Sequence, residues 1–173
     1  MAKLKIIAAA ALGVTMVSQG AFAGDTVNLN ITGNVVASPC IVNGGSGNID
    51  VDLGNIQATT LATAGSSSTE VPFDIKLTQC PTGTSNVIAT FSGTSDPVAG
   101  SNYYKSTGTA TNVAVALIQA STSSLKGSGT SITQAVAADR TVTMSMKAKA
   151  YSSAGSAMPG TIKSVVTATF TYQ

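Results

Sequence analysis

The chain has 173 residues, of which 43% are hydrophobic, 9% charged and 5% aromatic, so its polar surface comes mainly from Ser, Thr, Asn and Gly, a mix that suits a strand-rich extracellular protein. His and Trp are both absent, which removes the commonest general base and metal ligand together with the strongest aromatic anchor, and most hydrolase and zinc-enzyme readings with them. The net charge of +2 vanishes once Lys3 and Lys5 are assigned to an export signal, and the remaining cations are scattered, so neither nucleic acid nor an anionic membrane is an expected partner.

Residues 1–23 place Lys3 and Lys5 before an apolar run from Ile6 to Val17, followed by Ala21-Phe22-Ala23. That is the pattern of a cleaved secretory signal. A transmembrane anchor is the other reading, but the apolar run is short for a bilayer span and no later segment is long enough, so direct membrane insertion is not expected. Cleavage leaves about 150 residues, the size of one domain. In an oxidising compartment the two cysteines, Cys40 and Cys80, most simply form one disulfide, whose loop closure contributes about 4 kcal/mol.

Beyond the signal, Val27, Leu29, Ile31, Gly33 and Val35 alternate with Thr26, Asn28, Asn30, Thr32 and Asn34, the pattern of an amphipathic strand. The same period of two predicts half-buried strands around Ile49-Val51-Leu53, Phe73-Ile75-Leu77, Val87-Ala89-Phe91, Val113-Val115-Leu117 and Val142 to Ala150. The segment from Ser121 to Ala138 has no clear register and reads as loop or strand. Ile162, Ser164, Val166, Ala168, Phe170 and Tyr172 form a last alternating face. Gly, Ser and Asn clusters at 43–48, 64–68, 127–129 and 152–155 supply the turns. Short strands at this spacing predict an antiparallel β-sandwich stapled by the disulfide.

Nothing in the chain resembles a catalytic or metal constellation, and no cofactor is expected. Asp50 with Asp52, and Asp74 with Lys76, are nominal acid-base pairs, but residues two apart in a strand share a face, and here that face is solvent. Both terminal strands could belong to the domain's own sandwich; alternation alone leaves that open. Gly33 reads either as a strand irregularity or as a point of close backbone approach. Gly160 reads either as a turn after Pro159 or as a positional mark, and Tyr172 as a core aromatic, a positional mark or both.

Gly160 is fourteenth from the C-terminus and Tyr172 is penultimate, a pair of marks that resembles the C-terminal motif of chaperone-usher pilus subunits. The likeness continues through Val51-Asp52-Leu53-Gly54, Pro72 to Leu77 leading to Cys80-Pro81, and Phe91-Ser92-Gly93 with Asp96. Tyr103-Tyr104-Lys105, Gly108-Thr109-Ala110 and Asn112-Val113 are similar to the type 1 fimbrial group, most of all its minor tip-fibrillum linker subunit. The resemblance implies an incomplete immunoglobulin-like β-sandwich lacking its last strand. It divides the chain into a signal peptide at 1–23, an N-terminal donor-strand extension at 24–37 and a pilin domain at 38–173.

In that reading Val27, Leu29, Ile31, Gly33 and Val35 enter the groove of an adjacent pilus subunit, the donor-strand complementation that is a known form of β-strand addition. Gly160, Val166, Ala168, Phe170, Tyr172 and Gln173 meet a periplasmic fimbrial chaperone before the outer-membrane usher exchanges it. The implied function is a structural fimbrial subunit that passes through the periplasm to a cell-surface fimbrium and contributes to adhesion. The short extension before Cys40 leans towards a minor subunit; a major rod pilin and a free secreted binding sandwich are the alternatives.

Overall fold

The computed structural model describes residues 27–34 and 39–173. The signal at 1–23 and Val35 lie outside the described residues. Residues 27–34 belong to a unit separate from the domain that follows. They form no strand, and Val27, Leu29 and Ile31 are 80%, 78% and 91% exposed. Over these described residues the amphipathic strand that the alternation predicts is not formed.

Among the described residues the domain has eleven strands: β1 Ile41–Val42, β2 Ser66–Ser67, β3 Val71–Thr78, β4 Asn86–Gly93, β5 Ser95–Asp96, β6 Gly100–Lys105, β7 Ala114–Gln119, β8 Ser124–Leu125, β9 Ser131–Ala135, β10 Val142–Ser152 and β11 Val166–Tyr172. One sheet runs β1-β3-β10-β7-β6-β5, with β2 on β10 and β8 on β7; the other runs β11-β4-β9. All pairings are antiparallel.

Strand alternation places the core as expected. Ile75 and Leu77 from β3, Val87, Ala89 and Phe91 from β4, and Val142, Met144 and Met146 from β10 are buried in one cluster with Cys40 and Cys80. Asp74, Lys76, Thr143 and Ser145 face solvent. Cys40 and Cys80 are bridged, which joins the entry to β1 to the residues just past β3. A second cluster of Leu61, Val113, Ala150 and Ala157 is flanked by Leu53, Ile56, Ala110 and Ile162.

Three expectations change. Residues 49–53 form no strand: Asp52 Oδ1 accepts from the Gly54 amide at 2.9 Å and Gly54 turns at φ +70°, so local hydrogen bonding replaces a ladder. Ile49 is exposed, while Leu53 joins the second cluster. β7 is covered on both faces, because Tyr103 of β6 and Tyr151 of β10 lean over its small Ala114 and Ala116 and stack at 4.3 Å. The last strand starts at Val166 rather than Ile162. Before it, the chain makes isolated bonds to the 107–110 segment, Thr107 N to Lys163 O and Ala110 N to Thr161 O. The segment without clear register, 121–138, holds β8, a turn and β9.

Candidate functional site

The site is an absence of covering at one seam of the sandwich. β11 pairs with β4 alone among the described strands. Directly across that ladder Ala168 faces Phe91, Phe170 faces Ala89 and Tyr172 faces Val87, so large and small side chains alternate. The β4 members are fully buried, with Phe91 1% exposed. Their β11 neighbours Val166, Ala168, Phe170 and Tyr172 touch the same core but are only half-buried. Burial thus falls off over a single strand spacing, as it does where the next strand is missing.

The opposite lip of the seam belongs to the large sheet. β1 pairs with β3 only at Thr78 and Leu77, which leaves the edge of β3 from Val71 to Lys76 without a partner among the described residues. Val42 and Phe73 on that lip are also partly buried against the common core. Tyr172 shows that the two lips share a side of the sandwich: burial raises its phenol pKa, and the nearby backbone of Cys40 partly offsets the rise. The chain end is held in place, since Gln173 N donates to Asn86 O and Asn86 N to Gln173 O, both at 2.9 Å.

Chemically, the seam offers unpaired backbone donors and acceptors along β11 and half-covered apolar side chains below them. An extended segment with alternating apolar residues satisfies both at once. Among the described residues no three His, Cys, Asp or Glu side chains converge as metal ligands. Asp74 sits 3.8 Å from Lys76 on the exposed face and accepts from Ser145 Oγ, so the nominal acid-base pair is a solvated surface contact.

Val166, Ala168, Phe170 and Tyr172 come together on one half-buried face, as their spacing predicts, and Gln173 closes the strand. Gly160 lies apart from them, outside β11. A Cβ on it would fall 2.3 Å from Ala110 N and 2.6 Å from the Thr109 carbonyl carbon. Its glycine identity therefore serves a close backbone crossing within the domain. Gly33 meets nothing within 4 Å. The contribution of Val42 and Phe73 to the seam was missed in sequence; Phe73 was visible as an inward strand residue, but nothing local marks β3 as an edge.

The fold is an immunoglobulin-like β-sandwich that lacks its last strand, the architecture of a pilus subunit. It matches the crystal structure of the P pilus rod subunit PapA with a TM-score of 0.66 at 21% identity, covering 79% of this chain and 100% of that one. The chain belongs to the fimbrial protein family, which matches residues 29–173. It is 36% identical to Protein FimG of Escherichia coli over 146 residues, 84% of each chain. It is also 36% identical to the S-fimbrial adhesin protein SfaS of Escherichia coli over 170 residues, 98% of this chain and 99% of that protein. It is a chaperone-usher fimbrial subunit, and the adjacent subunits of a cell-surface pilus are its partners.

Proposed function

We propose that this subunit polymerises by donor-strand exchange, with residues 24–37 as the donor and the seam beside β11 as the acceptor. In this reading residues 1–23 are a signal peptide removed on export to the periplasm, and 38–173 are the pilin domain. Supporting it most directly is the exposure of Val27, Leu29 and Ile31 at 80%, 78% and 91%, because soluble chains rarely leave three alternating large apolar residues uncovered. Together with Val35, their burial in a neighbour contributes roughly 6 to 12 kcal/mol as an upper estimate, before ordering costs.

Before assembly a periplasmic chaperone occupies the same seam through Val166, Ala168, Phe170, Tyr172 and Gln173 and reaches as far as Gly160, outside β11, and the outer-membrane usher is where the exchange takes place. Likeness to FimG over most of both chains and a short extension before Cys40 support a minor linker role over that of a major rod subunit. The subunit contributes to adhesion as part of the fibre.

The test uses the domain lacking residues 24–36, co-purified with its chaperone and mixed with a peptide of residues 25–37 or a neighbour's equivalent. Release of chaperone and an SDS-resistant complex on unheated gels is the expected result. A stable chaperone-free monomer that takes up no peptide would overturn the reading in favour of a free secreted sandwich. Copies per purified fibre separate the linker from the rod role.

A further inference from the structure

Tyr103 and Tyr151 stack on the outer face of the large sheet, with ring centroids 4.3 Å apart and planes inclined by 13°. They meet across β7, where Tyr103 is in register with Ala116 and Tyr151 with Ala114, and both alanines are too small to hold the rings apart. At that spacing the ring faces touch, with carbons of the two rings about 3.5 to 4 Å apart. The hydroxyl ends also meet, since burial first, and then the charge and hydrogen bond of the Tyr151 phenol, raise the Tyr103 pKa. Both side chains are half-buried, and Tyr151 lines a cavity of about 220 Å³ with Asp96 and Asn112, so water reaches the pair.

What the chain lacks directs oxidation to this pair. It has no Trp and no His, and its two cysteines are bridged, so a one-electron oxidant meets neither an indole nor a free thiol. Met144 and Met146 are buried. Met158 is exposed, but methionine takes up oxygen rather than coupling. Of the four tyrosines, Tyr104 is buried on the inner face of the sheet and Tyr172 lies on β11 of the other sheet. Two tyrosyl radicals therefore arise in contact only at Tyr103 and Tyr151, where a geometry held by the fold replaces a chance encounter.

We propose that Tyr103 and Tyr151 form a modification site, joined as an intramolecular dityrosine by hydrogen peroxide and a haem peroxidase, oxidants that reach a cell-surface fibre. Each phenol loses one electron and its hydroxyl proton. The two radicals pair at ring carbons ortho to the oxygens, which forms one C–C bond. The proton on each of those carbons then passes through water to its own phenol oxygen, restoring both aromatic rings. The net loss is two hydrogens, taken up by one peroxide to give two waters. The new bond ties β6 to β10 across β7. The disulfide closes only the loop from Cys40 to Cys80, so this bond constrains the second half of the unfolded domain as the disulfide constrains the first. The site is separate from the assembly seam and does not depend on the donor-strand reading.

The test treats the full chain, purified from the periplasm, with a haem peroxidase and a small excess of hydrogen peroxide. Dityrosine fluorescence is expected in the monomer band, with a melting temperature above that of the untreated chain. Tryptic digestion after reduction of the disulfide is expected to give residues 77–105 joined to 150–163, lighter by two hydrogens, with the bond mapping to Tyr103 and Tyr151. Tyr103→Phe and Tyr151→Phe keep the stacked rings and remove one phenol each. Both variants are expected to melt like the wild type before treatment and to lose the cross-link and the melting shift after it. Coupling that maps to Tyr104 or Tyr172, a yield unchanged in either variant, or oxygen added at Met158 with no coupling would overturn the proposal.

Discussion

Phe91 and Ala168 face each other across the β4–β11 ladder, yet Phe91 is fully buried and Ala168 is half-exposed. Neighbours in one ladder differ this way when the outer one lacks a strand beyond it. An added charge at this position should act on partners before it acts on the fold. Ala168→Glu is expected to abolish chaperone capture and to collapse periplasmic yield, measured by co-purification with the chaperone. Full capture of the variant would show that the seam is not the contact.

Gly160 and Gly33 give opposite expectations for the same substitution. A Cβ at Gly160 meets the Thr109-Ala110 backbone, and backbone cannot yield as a side-chain tip can. Gly160→Ala should lower domain stability by about 1 to 3 kcal/mol in urea unfolding. Gly33 is in open space, so Gly33→Ala should leave the domain's melt unchanged within about 0.5 kcal/mol while weakening fibre assembly. Equal assembly of wild type and Gly33→Ala would assign the glycine no role in exchange.

The disulfide spans 40 residues in a domain whose core is open at one seam. Cys80→Ser is expected to cost about 2 to 5 kcal/mol, read as a lower denaturant midpoint at unchanged slope. Retention of the wild-type midpoint would mean that packing around Cys40 and Cys80 suffices.

Tyr104 is fully buried and its hydroxyl has no hydrogen-bond partner among the described residues. Burial pushes its pKa up to about 12 from 10.0. The unfolded chain therefore loses this proton first as the pH rises. Stability is unaffected below pH 10 and falls by about 1.4 kcal/mol per pH unit from there towards 12. Tyr104→Phe should remove much of that alkaline loss and, by deleting an unsatisfied buried hydroxyl, keep or raise stability at neutral pH by up to about 1 kcal/mol. An identical alkaline profile in the variant would place the sensitivity elsewhere.

Much of the sandwich was legible in the chain because burial on one side of a strand imposes a period of two. Val87-Ala89-Phe91 and Val142-Met144-Met146 point inward as their alternation requires. The same period misled at Ile49-Val51-Leu53, where Asp52 and Gly54 offered the backbone a local turn. It also understated β7, whose alanines become core only because two tyrosines from neighbouring strands close over them. The half-buried face of β11 was readable as a set of residues, Val166, Ala168, Phe170 and Tyr172, but not as an edge.

By itself the amino-acid order determined the two alternating ends, the inward faces of the long strands and the single possible pairing of cysteines, since each follows from local periodicity or from count. Tertiary structure decided which strands have neighbours. It left one edge of β11 and part of one edge of β3 without a partner among the described residues, drew Gly160 against Ala110, and gathered Asp96, Asn112 and Tyr151 around one cavity. Those relations join residues far apart in the chain, and no periodicity or short motif encodes them; they exist only once the ladders are in register.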